Sequence, residues 1–151
     1  MFNDLIDNDE ILYRRIPTCR NYYTIKNDES IEISRLAFLD REMKISVDRA
    51  KLCNNNPRYT LGNEVGVVVS LVAGQVRNIE DVTRNDSKER VTKRFKIDIE
   101  PAPLPSNPAH AQIFSVPEFV KADNKTAFRQ LTRLLASLAE KGQWVEFSTS
   151  E

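Results

Sequence analysis

Hydrophobic positions are densest over residues 65–73, Val-Gly-Val-Val-Val-Ser-Leu-Val-Ala, where β-branched side chains follow one another almost without a break. Continuous rather than alternating apolar character implies burial on both faces, so this segment is predicted to be a central strand. Gly66 and Gly74, near its two ends, mark a bulge or a close approach of backbone. Residues 91–99 alternate instead: Val91, Phe95, Ile97 and Ile99 fall on one face, Thr92, Arg94, Lys96 and Asp98 on the other. That is the pattern of a strand with one wet face. Shorter strands are predicted over 11–16, stopped by Pro17, over 22–25, 44–47 and 111–116, and around Trp144, Val145 and Phe147. Residues 30–39 fit neither the strand nor the helix period.

One long stretch carries the helical period. Over 125–141, Phe128, Leu131, Leu134, Leu135 and Leu138 make a single apolar stripe, while Arg129, Arg133, Glu140 and Lys141 stay polar. Asn124 stands at the N-cap position and Gly142 follows the last turn. Asp48 is read as the cap of a short helical turn containing Ala50 and Leu52, and 79–84 as a helical turn within the charged loop 78–90. Pro101, Pro103, Pro105 and Pro108 impose an extended connector, read as a rigid crossover. The expected fold is α+β: a single domain with a mostly antiparallel sheet and one long C-terminal helix packed on a face, strand 65–73 being the natural partner of its stripe. Residues 1–10 read as an arm, 11–147 as the domain and 148–151 as a tail.

A length of 151 residues suits one domain, which at this size buries about 70% of its unfolded surface without help from a metal or disulfide. Lys plus Arg and Asp plus Glu are both 22, so no global field draws the chain to nucleic acid or anionic lipid. No apolar run approaches the ~20 residues of a membrane span, and the first ten residues are acidic and polar, unlike a signal peptide. Cys19 and Cys53 lack CxxC spacing, and with one histidine they make no zinc pattern. No metal is expected, and a cytosolic protein with two reduced thiols is. GxGxxG, phosphate-loop, HExxH and EF-hand patterns are all missing, so no cofactor is expected.

Candidate chemistry gathers in three phrases. His110, the single histidine, sits in Asn107-Pro108-Ala109-His110-Ala111. An imidazole there can serve as acid or base, but irregular backbone around prolines also recruits such a side chain for support, and that structural role is preferred. Ser46, Asp48 and Arg49 lie in Ser46-Val47-Asp48-Arg49-Ala50. With His110 they complete a Ser/His/Asp set by composition, yet in a strand Ser46 and Asp48 share a face, and there is no Gly-x-Ser-x-Gly elbow. His110, Ser46 and Arg49 are therefore catalytic candidates by chemical type only. Arg14 and Arg15, adjacent in a strand, point to opposite faces. The inward one needs a carboxylate, carbonyls or an anionic ligand. Beside Arg49 it would read a phosphate or carboxylate, so Arg14, Arg15, Arg49 and His110 form the ligand-binding set.

Residues 84–96 hold six basic side chains and two acidic ones. Arg90, Arg94 and Lys96 are the nucleic-acid candidates, but no aromatic residue interleaves on the polar face, and a solvated surface is the preferred reading.

The phrases at 12–17 and 46–50, a Val-rich strand leading to Ala73, Gly74 and Arg77, and the phrase at 107–111 together resemble a family of small uncharacterised bacterial proteins. The similarity spans much of residues 12–116. It implies a bacterial, cytosolic setting and supplies no catalytic role. Three functions are carried forward. The first is a small non-enzymatic module for a protein partner or small anionic ligand. Its rival is a small enzyme acting on a phosphate-bearing or nucleotide-like substrate through an Arg/Ser/His pocket. The third is a non-specific nucleic-acid binder acting through 84–96.

Overall fold

The computed structural model describes residues 5–80, 82–86, 91–120 and 123–148. The chain runs β1 (Ile11–Pro17), β2 (Tyr23–Ile25), β3 (Ile31–Ile33), β4 (Ile45–Arg49), α1 (Pro57–Leu61), β5 (Gly66–Val72), α2 (Ala73–Arg77), β6 (Thr83–Asp86), β7 (Val91–Arg94), β8 (Lys96–Pro101), β9 (His110–Val116), α3 (Lys125–Lys141) and β10 (Trp144–Phe147). Among the described residues, six strands form one antiparallel sheet of order β10-β5-β1-β4-β9-β8, and β2-β3 and β6-β7 pair as two separate ribbons. The expected α+β fold, with its antiparallel sheet and long C-terminal helix, is the fold observed.

Two faces of the sheet have different chemistry. Leu12, Ile16, Ile45, Val47, Val67, Val69, Leu71, Ile97, Ile99, Ala111 and Ile113 join one buried cluster with the α3 residues Ala127, Phe128, Leu131, Leu135, Ala136 and Ala139. Helix α3 packs on β3, β5 and the 3-10 turn Arg35–Phe38, and Ile33 donates its N–H to Glu140 Oε2 at 2.7 Å. Of the predicted stripe, Phe128, Leu131 and Leu135 are buried, while Leu134 and Leu138 pack partly buried at its edge. The opposite sheet face carries Tyr13, Ser46, Asp48 and His110, because side chains alternate along each strand. There α1 covers part of β1 and β5, and Val68 is buried as the double-sided burial of β5 requires.

Several local expectations are corrected. The 91–99 strand breaks at Phe95, whose ring turns inward to pack against Phe119, tilted by 46° with centroids 4.8 Å apart; β7 then pairs with β6, and β8 with β9. Arg94 and Lys96 therefore end and begin strands of different sheets rather than sharing one strand face; both are exposed, and Arg90 lies outside the described residues. The helical turn expected over 79–84 occurs earlier, as α2, because Ala73 and Val76 bury there. At Gly74 a Cβ would press on the Asn8 carbonyl oxygen, and at Gly66 it would strike that of Ile16, so both glycines do mark close backbone approach. The proline segment 102–109 is no crossover: it links neighbouring antiparallel strands β8 and β9 as a hairpin loop, with Leu104 bridged to Asn107. Residues 6–10, expected as an arm, are packed on the domain. Ile6 is in the core, Asn8 Oδ1 accepts from Arg77, and the Glu10 carboxylate is buried against Arg49. Asn124 holds the N-cap position, but its side chain accepts from Val120 N–H rather than from the helix.

A candidate binding cleft where two strands part

Strands β1 and β5 stay paired from Ile11 to Pro17. Strands β1 and β4 do not: their pairing stops after Leu12↔Arg49 and Tyr13↔Asp48. Beyond Tyr13 the sheet opens into a cleft of about 720 Å³, whose walls include Tyr13, Arg14, Arg15, Ser46, Asp48, Thr60, Asn107 and His110. The volume is in the range of small-molecule pockets.

The opening is braced by Arg14. Its side chain lies on the core face of β1 and reaches across the gap, donating from Nε to Ala37 O at 3.1 Å, from Nη1 to Ser46 O at 2.8 Å and from Nη2 to Leu39 O at 3.2 Å. Asp40 lies 3.7 Å away as its counter-ion and accepts the Ser46 N–H at 3.1 Å. Burial lowers the pKa of the guanidinium and Asp40 opposes that shift. Arg15 points the other way, to solvent, facing Glu64 at 3.9 Å. The adjacent arginines thus split between inside and outside, as their strand positions predict.

His110 is fixed through both ring nitrogens. Nδ1 lies 2.8 Å from Ala102 O, and Nε2 lies 3.1 Å from Ser46 Oγ. A carbonyl oxygen only accepts, so the ring proton belongs on Nδ1, and Nε2 accepts the Ser46 hydroxyl proton. Asp48 is the register partner of His110 on the same sheet face, but it is not a helix cap. The turn at Ala50–Cys53 has Arg49 at its N-cap and no side-chain cap bond. The Asp48 carboxylate instead accepts from Asn107 Nδ2 at 2.8 Å, and Asn107 Oδ1 accepts from Tyr59 Oη at 2.7 Å and from Ala109 N–H at 3.2 Å. Burial and then the Asp48 charge hold both the Cys53 thiol and the Tyr59 phenol above their ordinary pKa values.

Arg49 takes no part in this cleft. It alternates to the core side of β4 and makes a buried ion pair with Glu10, Nε to Oε1 at 2.6 Å and Nη2 to Oε2 at 3.2 Å. The pocket expected from an inward arginine beside Arg49 is therefore not built: Arg14 is engaged with carbonyls and Arg49 with a carboxylate. Ser46, His110, Arg14 and Arg15 all border the cleft, with the Arg15 side chain turned toward solvent. Tyr59 and Thr60, on a helix that reaches the site only through the tertiary fold, carry no sequence signal, and Asn107 is marked in the sequence only as the first residue of the His110 phrase, with no role of its own. Among the described residues no cluster of His, Cys, Asp and Glu is arranged to hold a metal ion, and no helix is long and apolar enough to cross a membrane. Comparison with protein-family models, with curated proteins and with solved structures found no match to this chain.

Proposed function

We propose that this protein is a binding module for a small polar molecule, held in the cleft between β1 and β4. The observation that carries the reading is the parting of two central strands around a braced space of about 720 Å³. A sheet gains by continuing its ladder, and here side chains of Arg14 and Asp40 take the Ser46 backbone groups that β1 leaves unpaired. The gap is thus built and held. The setting we propose is the bacterial cytosol, on the resemblance of the sequence phrases and on two free thiols, Cys19 and Cys53. The test is a small-molecule screen followed by ¹H–¹⁵N NMR. Ligands that shift Tyr13, Ser46, Thr60 and His110 together support the module. A screen whose hits all map elsewhere overturns it.

A catalytic reading is favoured by one further observation. Ser46 Oγ donates to His110 Nε2 while Nδ1–H is anchored on Ala102 O, the nucleophile–base–orienter arrangement with a backbone carbonyl in place of the acid. In this reading Ser46 Oγ attacks an acyl carbon, His110 Nε2 takes the hydroxyl proton, and that proton passes to the leaving group. A fluorophosphonate probe would then label Ser46 in the wild type and neither Ser46→Ala nor His110→Ala. Absence of labelling in the wild type would remove this reading and leave the binding module standing.

A further inference from the structure

The charged side chains that line the cleft divide unevenly. Arg14 has Asp40 at 3.7 Å and Arg15 has Glu64 at 3.9 Å. Asp48 is left over. The residue is only 7% exposed, the one hydrogen bond to its carboxylate among the described residues comes from the neutral amide of Asn107, and it makes no ion pair there. An ionised carboxylate offers about four acceptor positions, and leaving one buried without a counter-charge costs stability. A second group in the same wall is also unmet: Thr60 Oγ1 is buried and has no hydrogen-bond partner, the one such side-chain atom among the described residues. Both are oxygens. Tyr13 and Tyr22 bring aromatic rings to the lining, and ring faces attract cations.

We infer that the cleft selects a ligand carrying a protonated amine, with Asp48 as its counter-ion and Thr60 Oγ1 as a further acceptor for an ammonium or neighbouring donor. The inference rests on the binding-module reading and reverses the anionic ligand that the arginines suggested from sequence. A cation supplies the charge that Asp48 lacks, whereas a phosphate would add a second anion beside it.

Three probes that share a phenyl ring and differ in charge test it: 2-phenylethylamine, 2-phenylethanol and phenylacetate, titrated into the full chain to ~10 mM, well above the millimolar dissociation constants of weak ligands. The amine is expected to shift the Tyr13, Asp48 and Thr60 amides and to bind about tenfold tighter than either competitor, the scale of one charge-assisted hydrogen bond. Asp48→Asn keeps an acceptor for Asn107 and should remove that preference. Thr60→Val, which replaces an orphaned hydroxyl with a methyl, should weaken amine binding by a few fold in an intact fold and serves if Asp48→Asn misfolds. An alcohol or acid that binds as well as the amine, or an amine affinity unchanged in both variants, overturns the inference and leaves the module. No cleft shift with any of the three overturns the inference, while the module falls only if the wider screen also finds no ligand for the cleft.

Discussion

Arg14 holds Ser46 where β1 no longer can: its Nη1 donates to the Ser46 carbonyl at 2.8 Å, across the gap left by the missing strand ladder. The same guanidinium serves Ala37 O and Leu39 O, so one side chain ties β1, β4 and the 35–39 segment together. Arg14→Met should orphan these carbonyls and lose about 3 kcal/mol in urea unfolding, at ~1–3 kcal/mol per unsatisfied buried group with partial relief by water. Arg14→Lys should recover little, since one ammonium cannot reproduce a planar fork aimed at three acceptors. A loss below about 0.5 kcal/mol, the ordinary scatter of surface substitutions, would show that the brace carries no stability.

Asp48 should behave in the opposite way. Asp48→Asn removes an uncompensated charge while retaining the Asn107 contact, so the unliganded protein is expected to gain roughly 1 kcal/mol, a rise in Tm of about 2–4 °C for a chain of this size. The charge also raises the Tyr59 phenol and Cys53 thiol, after burial. In Asp48→Asn both should titrate lower than in the wild type, read by ultraviolet difference spectra for Tyr59 and by the pH dependence of alkylation for Cys53. Unmoved titrations would mean that Asp48 is screened from both.

The fold was more legible than the site, for physical reasons. Helix 125–141 follows from the spacing of Phe128, Leu131 and Leu135 alone, and the burial of β5 on both faces follows from its β-branched run. Hydrophobic period is a local property. The cleft is not: it exists because the β1–β4 pairing stops after Tyr13, and nothing in the local pattern of either strand marks that stop. Composition named Ser46 and His110, and topology put them within 3.1 Å. It also named Arg49, which strand alternation turned to the core side, where Glu10 meets it. Tyr59 and Thr60 carry no motif at all.

Leu131 lies at the centre of the α3 contact and is fully buried. Leu131→Ala should cost ~2–5 kcal/mol through lost transfer energy and a residual cavity. An unchanged melting curve would contradict the packing of α3 on the sheet.

Acid should act through Arg77 and Asp98. Burial alone would raise the Asp98 pKa, but Arg77 Nε at 2.7 Å and the Ile99 N–H at 2.8 Å outweigh it and hold the carboxylate below its ordinary value. A group whose folded pKa is depressed contributes stability above its unfolded value and loses it as pH falls through the folded one. Stability should therefore drop below about pH 4, and Asp98→Asn should flatten that part of the pH–stability curve. An identical acid limb in the variant would rule this pair out as a source.

His110 makes the sharpest statement about its own chemistry. Because Nδ1 faces a carbonyl at 2.8 Å, the neutral ring should carry its proton on Nδ1, and long-range ¹⁵N NMR of the single imidazole reads that directly. His110→Ala should orphan Ala102 O and the Ser46 hydroxyl and cost about 1–3 kcal/mol. Ser46→Ala removes only the second bond, so its cost should be smaller, and the ring proton should stay on Nδ1 because the Ala102 contact is untouched. Combining the two substitutions should cost less than their sum, since both delete the same hydrogen bond. A ring protonated on Nε2 would invert the Ser46 bond, making the hydroxyl an acceptor. It would thereby remove the nucleophile–base reading along with the proposed anchoring of the ring.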